Sequence, residues 1–185
     1  VAPLAHDDLS VSLVRAGPPC CGGAMTGDST LQDQLDRLVG TWRTEGIIVG
    51  GSEHGGHKWA GWDVYEWFPG ARQMVHRVDV EIFGARKEAM EFFTPREASM
   101  DTFDQTSFDA DGTVEHAVGS FDEHGRYLND AGDARAILTF DAPDSMRAVW
   151  ETRQPGGGWA EWMQVRFTRV AGSHIEVRTK DDHTA

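Results

Sequence analysis

Few side chains in this sequence are suited to chemistry, and His76 stands out among them. It lies in Met74-Val75-His76-Arg77-Val78-Asp79, where apolar and polar residues alternate. Alternate residues of an extended strand face opposite ways, so Met74, His76 and Val78 are expected on one face, toward a cavity. An imidazole there can hydrogen-bond a ligand or act as a general base near neutral pH. Asp63 and Tyr65, in the aromatic segment just before it, are the other groups placed to move a proton. His54 and His57 lie with Glu53 in a glycine-rich loop, without the converging third ligand that a metal site requires, and are expected to be solvated. Zinc-protease spacing, a nucleophile elbow, a phosphate loop and a dinucleotide fingerprint are all missing from the sequence. Neither a metal nor a cofactor is therefore expected.

The aromatic residues supply walls rather than chemistry. The sequence holds seven tryptophans, and most are expected to pack in a core because each indole buries a large apolar area. Tyr65, Trp67, Trp150 and Trp159 fall at strand positions suited to pocket walls. Adding inward-facing neighbours gives a predicted ligand-binding set of Tyr65, Trp67, Met74, His76, Trp150 and Met163, with Tyr65, Trp67 and His76 lining one apolar pocket between the second and third strands. A one-residue slip of register would turn His76 outward and leave Arg77 and Asp79 inside, a costly arrangement unless those two pair.

These residues need a scaffold, and the sequence pattern describes one. Ser29 with Gln32 reads as a capping box, and Leu31, Leu35 and Leu38 form one apolar stripe of a short helix. Gly40 is expected to end it in the left-handed conformation. From Thr41 the period changes to two, predicting strands at 41–49, 58–67, 72–80, 87–94, 99–108, 113–120, 134–140, 145–153 and 159–170. A weaker tenth lies near 124–129, and glycine, proline and aspartate turns separate the segments. Parity puts Met163, Val165 and Phe167 of the last strand on one side, and Met146, Ala148 and Trp150 of the one before it. The fold class is all-β: a single antiparallel up-and-down barrel with a short N-terminal helix plugging one end. Residues 1–27, with no sustained periodicity, are expected to be a disordered extension, 28–170 the barrel and 171–185 a tail.

Composition narrows the partners. With 17 Lys and Arg against 30 Asp and Glu, the formal charge of −13 repels phosphate backbones and acidic lipids. Nucleic acid and membrane partners are not expected, and no apolar run approaches the length of a spanning helix. Cys20 and Cys21 are adjacent, a geometry that strains a disulfide, so both are expected as thiols in the cytoplasm.

The Gly40-Thr41-Trp42 motif resembles the opening of calycins, the superfamily of lipocalins and fatty-acid-binding proteins. That resemblance implies an arginine near the end of the last strand, here Arg169, lying across Trp42 at the closed base of the barrel. LVGTWRTEG, YEWFPG at Tyr65–Gly70, VHRVD at Val75–Asp79, SFDADG at Ser107–Gly112 and the late VRFTRV resemble a bacterial family, domain of unknown function 1579. It implies a ten-stranded fatty-acid-binding-protein-like barrel with a cavity and brings no activity with it. The opening is also similar to that of nitrobindins, which hold haem on a last-strand histidine; that place falls near Trp162 or Met163 here, and neither is a histidine. The reading that follows is a binder of a small apolar or aromatic molecule. The alternative is a cyclase- or isomerase-type enzyme using the same cavity, and haem binding ranks below both.

Overall fold

The computed structural model describes residues 30–49, 54–96, 101–172 and 174–177. The expected N-terminal extension, Ser29 and both cysteines lie outside the described residues. The helix α1 spans Leu31–Asp36. Its cap is Thr30, one residue later than the sequence suggested: the Thr30 hydroxyl accepts from the Asp33 amide, and the Asp33 carboxylate accepts from the Thr30 amide. Leu35 and Leu38 are fully buried, which makes the helix a plug rather than a surface element.

Ten strands follow: β1 Gly40–Ile48, β2 Lys58–Trp67, β3 Met74–Ile82, β4 Ala85–Pro95, β5 Thr102–Asp109, β6 Val114–Phe121, β7 Tyr127–Asp130, β8 Ala134–Ala142, β9 Ser145–Arg153 and β10 Trp159–Val170. Each pairs antiparallel with the next, and β10 returns to β1 to close the barrel. Closure leaves no sheet edge to pair with another chain. This is the closed antiparallel barrel expected from the period-two pattern. No helix among the described residues is long and apolar enough to cross a membrane.

Gly40 does not end the helix, which stops at Asp36 with Arg37 still in the right-handed helical region. Instead Gly40 opens β1 at φ 134°, and a Cβ there would lie 2.4 Å from an Arg169 guanidinium nitrogen. The glycine is needed for the arginine. Arg169 donates to the backbone carbonyls of Val39, Arg37 and Pro143, and its guanidinium lies 4.1 Å from the centre of the Trp42 ring. The Trp42 indole, fully buried, donates to the Leu38 carbonyl at 2.7 Å. Helix, first strand and last strand are thus locked together at one end, with Arg37 donating to the Gly125 carbonyl on the far side of the plug. Beyond β10 the chain continues against the outside of the barrel: Gly172 lies on Thr41, and His174 pairs with Glu66 of β2.

Candidate functional site: a charged network in an open cavity

The opposite end of the barrel is not plugged. A cavity of about 540 Å³ opens there, beneath the turns that join β3 to β4 and β5 to β6. The β3–β4 turn holds Phe83 at φ 54° and Gly84 at φ 72°, as a two-residue hairpin of matching twist demands. Phe83 carries this conformation without being glycine, and the loop histidines surround it. His57 Nε2 accepts from the Phe83 amide at 3.1 Å, and both His54 and His57 rings lie 4.6 Å from its ring. The loop pair therefore packs against Phe83, which itself lines the cavity.

Two walls of different character meet in the cavity. Along β8, β9 and β10 the lining is apolar, with Leu138, Ala148, Trp150, Met163 and Val165. Trp162 joins them because β10 carries a bulge between Glu161 and Met163, so the extra residue breaks the alternation. On β2 the Trp59 ring lies flat on Gly46 of β1, where a Cβ would come within 2.1 Å of it. The indole N–H groups of Trp59 and Trp162 are buried and have no hydrogen-bond partner among the described residues.

The wall formed by β2 to β5 is polar at its base. Tyr65 and His76 are cross-strand partners and their rings stack 3.8 Å apart, within 6° of parallel. His76 Nε2 lies 2.8 Å from Asp63 Oδ1, and Nδ1 lies 2.7 Å from Glu91 Oε2. Other donors converge on the same two carboxylates. The Thr44 hydroxyl donates to Asp63, and Gln105 Nε2 donates to Glu91 at 2.6 Å. Gln105 Oε1 in turn accepts from the Tyr127 hydroxyl and from Asn129 Nδ2. The network links β1, β2, β3, β4, β5 and β7 through buried side chains, a costly arrangement unless its members are satisfied.

Burial opposes a charge on His76, but the pull of Glu91 and Asp63 outweighs it and raises the imidazole from 6.5 to about 9. At neutral pH the ring is cationic and donates from both nitrogens. The expectation of a general base at His76 is corrected on that ground: no lone pair is free to take a proton. Burial, reinforced by the charges of Asp63 and Glu91, pushes the Tyr65 phenol well above its usual range, so it stays protonated. The Tyr127 phenol is likewise raised by burial.

Of the residues singled out in the sequence, Tyr65, His76, Trp150 and Met163 line the cavity. Trp67 and Met74 share the inward face but lie below it, at the plugged end. The Trp67 indole donates to Asp36 of the helix at 2.8 Å, and Met74 is fully buried beside it, paired with Trp67 across the strands. Placing those two in the pocket is thus corrected: the helix fills the space they face. Trp159 is also outside the cavity, with the guanidinium groups of Arg135 and Arg153 over its ring. Arg77 is hydrogen-bonded to Asp79 and Glu88, away from the network, as the favoured register requires. Glu91, Gln105, Tyr127 and Asn129 were not anticipated. Their common signal is polar residues at alternate positions in otherwise apolar strands, which becomes informative only once the register is known.

The residues do not fit haem. Trp162 and Met163 stand at the wall where a last-strand histidine would be needed, and both nitrogens of His76 are engaged by carboxylates. Among the described residues no group of three or more His, Cys, Asp or Glu side chains is arranged to hold a metal.

No protein-family model matches the chain, and no curated protein matches it. Solved structures do align with it. Rv2717c from M. tuberculosis superposes with a TM-score of 0.51 at 11% identity, covering 77% of this chain and 98% of that one. The S-type phycobiliprotein lyase CPES from Guillardia theta (0.46, 10%, covering 78% and 95%) and a fluorescence-activating β-barrel designed de novo (0.43, 15%, covering 75% and 98%) align more loosely. At 11% identity the superposition with Rv2717c shows a shared barrel fold and nothing of function.

Proposed function

We propose that the barrel binds a small, mainly apolar or aromatic molecule, with one polar group seated at the Asp63–His76–Glu91 network. The observation that carries this reading is the two-walled cavity of about 540 Å³, apolar and tryptophan-rich on one side and charged at the base of the other. Cavities of this size suit drug-sized ligands, where apolar area supplies affinity and a few polar groups fix orientation. The acidic surface and adjacent cysteines fit a binder working in the cytoplasm.

The enzyme alternative rests on the same buried ionisable groups. It would need Asp63 or Glu91 as the base, because His76 holds protons on both nitrogens and Tyr65 can only donate. Binding requires no such rearrangement and is preferred.

The test is titration with an apolar environment-sensitive dye, read by dye and tryptophan fluorescence, alongside native mass spectrometry of freshly purified protein. Dye should enter the cavity of the wild type, bind Trp150→Ala more weakly, and bind Trp67→Ala unchanged because that indole packs on the helix. Absence of dye binding, or equal affinity in Trp150→Ala, contradicts the reading.

A further inference from the structure

The base of the cavity has a charge that its own groups do not cancel. His76, protonated, balances one of the two carboxylates it touches. Among the described residues no Lys or Arg forms an ion pair with Asp63 or Glu91, so one negative charge stays unmatched beside an apolar wall. The remaining hydrogen bonds do not remove it, since Thr44 and Gln105 are neutral donors. Acidic residues continue toward the opening, where Asp109 and Glu115 line the cavity together with Lys87.

A second observation points to the same place. Tyr65 is only 3% exposed and lines the cavity, yet its hydroxyl has no hydrogen-bond partner among the described residues. Every other polar side chain at the base of this wall is engaged: Thr44, Asp63, His76, Glu91, Gln105, Tyr127 and Asn129 all have partners. A cavity-facing hydroxyl on an otherwise buried ring, left open beside two carboxylates, offers an acceptor oxygen to a donor entering from the cavity. The faces of Tyr65 and the cavity tryptophans add an electrostatic preference for positive charge.

We propose that the ligand carries a cationic nitrogen, an amine or ammonium group on an apolar or aromatic body, which seats between Tyr65 and the Glu91–Asp63 carboxylates. The inference rests on the small-molecule-binding reading above and specifies its ligand class. It also reverses what the resemblance to fatty-acid-binding barrels implies, because a fatty carboxylate would have to lie beside Asp63 and Glu91. Like-charge juxtaposition in a site shielded from water disfavours that ligand, whereas a cation regains there what it loses in desolvation.

A matched series separates these outcomes: decylamine, decanol and decanoate, competing with a neutral solvatochromic dye near neutral pH. The three share one alkyl chain and differ in the charge of the head group. Decylamine should displace the dye at a concentration at least about tenfold lower than decanol, with decanoate weakest, since each factor of ten needs only about 1.4 kcal/mol of charge interaction. Glu91→Gln, nearly isosteric, should weaken decylamine far more than decanol and so erase most of the amine's advantage; Asp63→Asn is the second variant should Glu91→Gln not fold by near-ultraviolet circular dichroism. Tyr65→Phe, which keeps the stack on His76, should weaken decylamine several-fold more than it weakens decanol. Dye and decanol binding with decylamine no tighter, or with decanoate tightest, overturns the cationic ligand and leaves the binding reading standing. Failure of the dye itself to bind removes both.

Discussion

Raising the pH should destabilise this protein in a window set by His76. Its pKa is 6.5 in an exposed chain and about 9 in the barrel, held up by Glu91 and Asp63 against the cost of burial. The folded state therefore binds the proton more tightly. The resulting stabilisation is fully present below the unfolded pKa and disappears as pH rises through the folded one. With about 1.36 kcal/mol per pKa unit, the contribution is roughly 3 kcal/mol near pH 6, roughly 2 near pH 7.5 and a few tenths near pH 9. A loss of about 3 kcal/mol corresponds to a fall in melting temperature of roughly 6–12 °C for a chain of this size.

Two measurements check the argument. Urea unfolding of wild type and His76→Gln, across the same pH range, isolates the residue because other titrations are common to both proteins. The variant should be weaker by several kcal/mol near pH 6, as expected when a buried ion cluster loses its cation. The two curves should then converge as pH rises toward 9. An NMR titration of the His76 ring in the wild type gives the midpoint directly, even if the variant does not fold. A midpoint at or below 6.5, or a wild-type–variant difference that stays flat with pH, refutes the reasoning.

Arg169→Ala should cost about 1–3 kcal/mol, from loss of a cation–π contact and of the donors to three carbonyls at the plugged end, read as a lower urea midpoint. Arg169→Lys should restore only part of it, since an ammonium cannot span the carbonyls that the planar guanidinium reaches. Added hemin should give no sharp Soret band; a band that vanishes in His76→Ala would mean the imidazole leaves its carboxylates to bind iron. Gly46→Ala should destabilise by about 1–3 kcal/mol by forcing Trp59 off its seat, and should weaken dye binding in step. A chain beginning at Asp28 is expected to melt like the full one, as calorimetry can establish.

The architecture was legible because it is written in local terms. Alternation from Thr41 onward and regularly spaced turns point to a barrel or a sandwich, with closure favouring the barrel, and Leu35 and Leu38 reveal a helix that must bury one face. The errors are of the kind a local pattern makes. Thr30 and Asp33 form the capping box in place of Ser29 and Gln32, because both pairs satisfy the same spacing and only the start of the helix decides between them. Parity from Met163, Val165 and Phe167 says nothing of a bulge, and the one in β10 brings Trp162 to the cavity wall beside Met163. Trp67 obeys parity and still misses the cavity, because parity says which face a residue takes and not how far along the barrel the plug extends.

The site was half legible for a deeper reason. His76 could be recognised as an imidazole on an apolar face, but its chemistry depends on residues from neighbouring strands: Asp63 thirteen positions before it and Glu91 fifteen after. Alone in an apolar cavity, His76 would be pushed by burial toward neutrality, with a lone pair free for proton transfer. Between two carboxylates it becomes a fixed cation whose lone pairs are gone, and the same residue changes from a base into part of a negatively charged seat. That change shifts the functional reading from catalysis toward recognition. It also explains why the polar groups of β5 and β7 are needed, for without Gln105, Tyr127 and Asn129 passing hydrogen bonds toward Glu91 the buried charge would have no support on that side. The pH-dependence of stability and the preference for a cationic ligand are therefore two consequences of one arrangement: the first measures the proton held between Asp63 and Glu91, the second the negative charge that proton leaves uncancelled.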